Sequence, residues 1–155
     1  MVSAIPSHVY VLDALPYSTV KVAPTKSSCR MAKAVGKEID NFDYIQLKNG
    51  NGYDHNWVLA TGRDKTVPAV VLYAPTTGIE LTVYTDEPGI QVYSGNFLDG
   101  TVTGKKGIVY NQRVGICLET QKYPDTPNKP EWPSAVLRPG EKYTSHCTFK
   151  FGVRE

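Results

Sequence analysis

The run Ile79-Glu80-Leu81-Thr82-Val83-Tyr84-Thr85 alternates aliphatic side chains with polar or aromatic ones for almost its whole length. Residues two apart share a face of an extended strand, so this pattern describes a strand buried on one side and open on the other. A helix would scatter the same apolar positions around its circumference. Turn signals bracket the run, with Pro75-Thr76-Thr77-Gly78 before it and Glu87-Pro88-Gly89 after it. Ala69-Val70-Val71-Leu72-Tyr73 is a candidate strand upstream, and Ile90-Gln91-Val92-Tyr93 alternates again downstream. Val114 to Thr120 and Lys142 to Val153 read as further strands, the last introduced by a turn at Pro139-Gly140. Val9 to Leu12 reads as an edge strand. Helix is scarce: Ala32 to Ile39 offers one short candidate, weakened by Gly36. Strands at this spacing, with turns between them, predict an all-β antiparallel sandwich.

The bulk numbers narrow the function. A chain of 155 residues, without internal repeat or linker, is enough for one domain. At that size folding buries roughly 70% of the unfolded surface, so no staple is required. A formal charge of +2, with basic residues single or paired as in Lys105-Lys106, argues against a nucleic-acid partner. Cys29, Cys117 and Cys147 are odd in number, widely spaced and without a C-x-x-C pair. That pattern predicts free thiols in a reducing compartment, with the cytoplasm as default. His8, His55 and His146 include no H-x-x-x-H pair, so neither a metal nor another cofactor is expected. No apolar run approaches a membrane span, and the N-terminus lacks a basic segment followed by an apolar one.

Three segments carry side chains beyond what packing requires. In Cys117-Leu118-Glu119-Thr120-Gln121 a carboxylate stands inside an apolar strand, where burial would be costly unless it were bonded or reactive. Glu119 and Gln121 share one face, opposite Leu118 and Thr120. A loop stiffened by Pro124, Pro127, Pro130 and Pro133 follows, with Trp132 available to anchor it. In Gln91 to Gly100, the period places Gln91, Tyr93 and Gly95 on one face, where Gln91 and Tyr93 line a polar pocket or simply end a strand in a turn at Asn96. Asn49-Gly50-Asn51-Gly52 reads as tight turns presenting Tyr53, Asp54, His55, Asn56 and Trp57. Rings, carboxylates and amides together are what a sugar site needs, although a solvated turn carries the same residues. Cys117 and Cys147 read as small core residues, Arg113 as a surface charge and His146 as a strand-face histidine.

Gly52-Tyr53-Asp54-His55-Asn56, Gln91-x-Tyr93-x-Gly95-Asn96-Phe97-Leu98-Asp99-Gly100 and Cys117-Leu118-Glu119-Thr120-Gln121-x-x-Pro124-Asp125-x-x-Asn128 follow one another in this order. With the ending Leu137-x-Pro139-Gly140-Glu141-x-Tyr143, they resemble the aldose 1-epimerase (galactose mutarotase) family. The likeness is clear from residue 32 to residue 155, faint from Asp13 to Thr25, and not evident upstream.

The resemblance implies a large antiparallel β-sandwich, of which residues 1–155 form a single domain corresponding to the C-terminal part. It also implies a catalyst that interconverts the α and β anomers of free hexoses such as glucose or galactose. By resemblance Glu119 is the general base and Asp54 holds sugar hydroxyls, with Gln91, Tyr93 and Asn96 as further substrate-binding residues. The expected partner is a small-molecule hexose. The family's acid is a histidine from a segment upstream of the part matched here, and His8-Val9-Tyr10 echoes that motif only faintly. Three other readings compete with an active epimerase. One is a sugar-binding or structural β-module without turnover. The second is a chain that folds with a partner supplying the missing strands. The third is a glycoside hydrolase pairing Glu119 with Asp54 or Asp125.

Overall fold

The computed structural model describes residues 8–11, 14–16, 33–59 and 61–154. Among the described residues nine strands run in chain order: β1 (His8–Val11), β2 (Ala14–Pro16), β3 (Lys33–Ala34), β4 (Asp54–Leu59), β5 (Pro68–Ala74), β6 (Ile79–Thr85), β7 (Gly89–Tyr93), β8 (Cys117–Gln121) and β9 (Cys147–Val153). They form two antiparallel sheets, one ordered β3-β1-β5-β6-β9 and the other β2-β4-β7-β8. The sandwich expected from alternation is what these residues make. β6 has the predicted bounds, while β5 and β7 extend theirs by a residue or so.

The core lies between the sheets and follows the alternation. Leu59, Ile90 and Val92 from the four-stranded sheet meet Ala69, Val70 and Val83 from the five-stranded one. Trp57, Leu81, Ile116 and Leu118 pack against this cluster. Each fully buried aliphatic side chain stabilises the fold by about 1.5–3 kcal/mol. The faces of β4, β7 and β8 turned away from the cluster are therefore left for polar residues.

Several local expectations are corrected. β1 is an inner strand, paired with β3 on one side and β5 on the other, and not an edge. Strand geometry begins at Cys117 rather than Val114, and at Cys147 rather than Lys142. The helix expected over Ala32 to Ile39 is reduced to β3 and one 3-10 turn, Val35–Lys37. A short helix unforeseen in the sequence, α1 (Ile45–Gly50), enters β4 instead. Six residues are too few to show a helical period. Its apolar anchor is the buried Leu47, and Asn51 closes it in the left-handed conformation, φ 50°. Gly52 follows at φ 134°, and a Cβ there would run into the side chain of Asn96.

Candidate functional site

Asp54 begins β4, so the residues read as a turn presentation are strand residues from that position on. The register then does the assembly. Asp54 lies opposite Tyr93 and Asn56 opposite Gln91 on β7. Tyr93 in turn lies opposite Cys117, and Gln91 opposite Glu119, on β8. Directly opposed residues share a face, so Asp54, Asn56, Gln91, Tyr93, Cys117, Glu119 and Gln121 all stand on the side away from the core. The strand order therefore gathers three distant segments into one polar patch.

Gln91 Nε2 donates to Asp54 Oδ1 at 2.7 Å, across 37 residues of sequence. This bond orients the glutamine amide and leaves the second carboxylate oxygen of Asp54 available as an acceptor. Glu119 is exposed on the same face, one strand over. The expectation of a buried or half-buried carboxylate is thus corrected, because its side chain points away from the core that buries Leu118. Two carboxylates and an amide offer acceptors and a donor at a spacing set by the sheet, about 4.8 Å per strand.

Cys117 occupies the adjoining position on this face and is exposed, as is Cys147. Both were expected in the core: Cys117 falls on the wrong side of the alternation for it, whereas Cys147 shares the core-side face of β9 with Phe149 and Phe151 and is exposed as they are. Partial desolvation, then the charges of Glu119 and Asp54, push the Cys117 thiol up from its ordinary value. It stays protonated at neutral pH and is a poor nucleophile. Cys29 lies outside the described residues.

Asn96 is placed differently from its sequence neighbours. It is 3% exposed, and its Nδ2 donates to the carbonyls of Gly50 (2.7 Å) and Tyr53 (2.9 Å). Ser94 Oγ donates to its Oδ1 at 2.6 Å. Its polar groups are committed to the turn that joins α1 and β4 to the end of β7. Tyr93 keeps its place on the open face, with its hydroxyl accepting the Phe97 N–H at 3.0 Å.

Two further residues shape the patch. Asn56 is buried with both amide atoms unpartnered, as is Oε1 of the opposing Gln91. Gly89 makes room for it, since a Cβ there would lie 2.8 Å from Asn56 Oδ1 and 3.0 Å from the Tyr123 ring. The sequence offered Asn56 only as one member of a polar cluster. His55 points the other way, among Tyr44, Tyr53 and Trp57. Its Nδ1 accepts the Asp54 N–H at 2.9 Å, fixing the backbone of the strand that carries Asp54. Burial holds the imidazole below its usual value, partly offset by the charge of Asp54.

Around the patch, Arg113 is half-buried and forms a forked pair with Asp40 at 2.7 and 3.2 Å, not a free surface charge. Tyr123 packs edge-on against Trp132, 5.8 Å between centroids, which anchors the proline-rich loop. His146 binds Asp86 at 2.9 Å and precedes β9, which lies in the other sheet from the strands that carry the polar patch. The backbone of His8 belongs to the five-stranded sheet, opposite Ala34 and Tyr73, whereas Glu119 is in the other sheet. A cleft of about 840 Å³ is lined by Arg63, Lys122, Val136, Leu137 and Tyr143, and it contains none of the row. Among the described residues, no three metal-ligating side chains converge.

The fold and the polar sheet face define an antiparallel β-sandwich with carboxylates and an amide gathered on one open face. The family model "Aldose 1-epimerase" matches residues 3–150, so the chain belongs to the aldose 1-epimerase family. That match also reaches further upstream than the likeness read from the sequence, which is clear from residue 32, faint from Asp13 to Thr25 and not evident before that. The galactose mutarotase of Homo sapiens is 44% identical over 138 residues, covering 87% of this chain and 38% of that protein. The aldose 1-epimerase of Haemophilus influenzae is 37% identical over 142 residues, covering 90% of this chain and 40% of its own length. The structure of galactose 1-epimerase from Lactobacillus acidophilus superposes with a TM-score of 0.72 at 27% identity, covering 98% of this chain and 45% of that one. The chain thus spans about two fifths of the length of the curated relatives it matches.

Proposed function

We propose that this chain carries the general-base side of a mutarotase site and acts on free hexoses such as galactose or glucose. The observation that supports this most is the grouping of Asp54, Gln91 and Glu119 on one sheet face, with Gln91 opposite Glu119 and bonded diagonally to Asp54 at 2.7 Å. Glu119 takes the proton from the anomeric hydroxyl, and an acid returns one to the ring oxygen. The C1–O5 bond then breaks, giving the open-chain aldehyde. Rotation about C1–C2 and reclosure by the reverse proton transfers deliver the other anomer. Asp54 and Gln91 hold hydroxyls and keep the ring in register with Glu119. Tyr93 lines the same face, and Asn96 acts through the turn beneath it. A positioned carboxylate of this kind contributes about 10²–10⁴-fold to the rate.

Residues 1–155 act as one domain in this reading, supported by a core cluster that both sheets share among the described residues. A partner chain that supplies further strands is part of the proposal. What supports it is the outer strand β9, whose Phe149, Phe151 and Val153 face the core side yet are exposed. The free thiols of Cys117 and Cys147 support a reducing, cytoplasmic setting.

The test is polarimetry of freshly dissolved α-D-galactose and α-D-glucose with this chain, beside Glu119→Gln. Acceleration by the parent chain, reduced at least about 100-fold in the variant, is expected. Equal acceleration by both would remove Glu119 from the mechanism. Binding of the sugars by a folded parent chain without acceleration would instead select the binding-module reading.

A further inference from the structure

Phe97 is 64% exposed, yet it stands on a backbone that is held from several sides. Its N–H donates to Tyr93 Oη at 3.0 Å, and the preceding Asn96 is bonded through its side chain to Gly50 and Tyr53. Gln112 Nε2 donates to the Asn96 carbonyl at 3.1 Å, and the Arg113 N–H to that of Gly95 at 3.0 Å. Gly95 itself sits at φ 67°, where a Cβ would lie 3.0 Å from the Gly115 carbonyl. A flexible loop would let an apolar ring fold back onto the sheet. This turn holds the backbone of Phe97 in place, so that its largely exposed ring is presented beside Tyr93.

The ring is also placed beside the polar row. Phe97 stacks on Tyr93 with centroids 6.3 Å apart and planes inclined by 19°. Tyr93 is directly opposite Asp54 on one neighbouring strand and Cys117 on the other. The two rings therefore continue the face of Asp54, Gln91 and Glu119 as an apolar platform. A pyranose presents hydroxyls at its edge and a patch of C–H groups on its face, so a site that binds it needs both surfaces side by side.

We propose that Phe97, backed by Tyr93, is the stacking platform for the C–H face of the bound sugar and sets its affinity. This rests on the hexose-binding reading above. Binding of D-galactose and D-glucose to the full chain is measured by calorimetry and by saturation-transfer NMR, for the parent and for Phe97→Ala, Phe97→Leu and Phe97→Tyr. Phe97→Ala and Phe97→Leu are expected to weaken binding by about 5–10-fold, while Phe97→Tyr stays within about twofold. Thermal midpoints are expected to change little, because the side chain is exposed. Saturation transfer to the sugar from aromatic protons is expected in the parent and is expected to be weaker in Phe97→Ala, where the Tyr93 ring remains. Unchanged affinity in Phe97→Ala, or Phe97→Leu equal to the parent, would overturn the platform while leaving the hexose reading intact. Absence of sugar binding by the folded parent chain would overturn both.

Discussion

β7 and β9 are both strands with clean alternation, and their fates differ. In β7, Ile90 and Val92 are buried in the core while Gln91 and Tyr93 are only partly covered on the opposite face. In β9, Phe149, Phe151 and Val153 face the side of Leu81 and Val83, yet Phe151 is 70% exposed. The difference is what lies across from each strand. β7 sits between β4 and β8, with the second sheet over its apolar face, whereas β9 is the last strand of its sheet. Alternation declares which side wants to be covered, and only a facing layer covers it. The apolar face of β7 is covered, and among the described residues the apolar face of β9 is an unpartnered surface. An exposed apolar row on an edge strand is a site for further strand pairing or for association.

The sharpest way to break this comparison is to truncate one residue from each strand. Ile90→Ala removes a wholly buried side chain and is expected to cost about 2–5 kcal/mol in chemical denaturation. Phe151→Ala is expected to stay within about 0.5 kcal/mol of the parent, as at an ordinary surface position. A cost at Phe151 as large as at Ile90 would show that β9 is already covered in this chain alone, and would remove the support that its exposed face gives to a partner chain.

An intermediate effect is expected at Glu87, in the turn between β6 and β7. Its side chain is 1% exposed, and it accepts bonds from Lys122 Nζ and, at 2.5 Å, from the Tyr143 hydroxyl. Burial alone would raise its carboxyl. The bonds from Lys122, Tyr143 and Ser145 outweigh that and hold it below the usual range. Glu87→Gln is expected to cost about 3 kcal/mol at neutral pH, since it leaves the Lys122 ammonium without its counter-charge. Because the folded-state value is depressed, this stabilisation is present above the ordinary carboxylate range and is lost as pH falls through the folded value. Parent and variant should therefore converge in acid, and a cost that persisted there would make the role steric.

The smallest effect belongs to His55, on the aromatic side of β4. Its folded value is depressed by burial, so the unfolded chain takes up the proton first. Stability should therefore be full above about 6.5, the ordinary imidazole value, and should decline as pH falls below it. Thermal midpoints between neutral pH and mild acid would show the slope, and His55→Phe should flatten it. A slope unchanged in that variant would assign it to another group.

Much of this molecule was legible before any coordinates. The bounds of β6, the shared face of Gln91 and Tyr93, and that of Glu119 and Gln121 follow from a two-residue period. That period is a property of neighbouring residues, so the chain states it locally. The motifs around Asp54, Gln91 and Glu119 likewise named polar residues that the sheet brings onto one face. The sequence was silent on other points because they depend on residues far apart. Cys117 and Cys147 looked like core residues until the sheet order decided which face of their strands was covered. Arg113 looked free until α1 and the preceding turn brought Asp40 to it across 73 residues. Asn96 matched a binding motif, but the approach of Gly50 and Tyr53 turned its amide inward. By itself the sequence determined which side chains could share a face and which chemical groups were on offer. The tertiary structure alone decided that β4, β7 and β8 lie side by side, so that Gln91 reaches Asp54 and faces Glu119. Alternation sets the direction of a side chain within a strand, but neighbours in a sheet are chosen by the packing of the whole core.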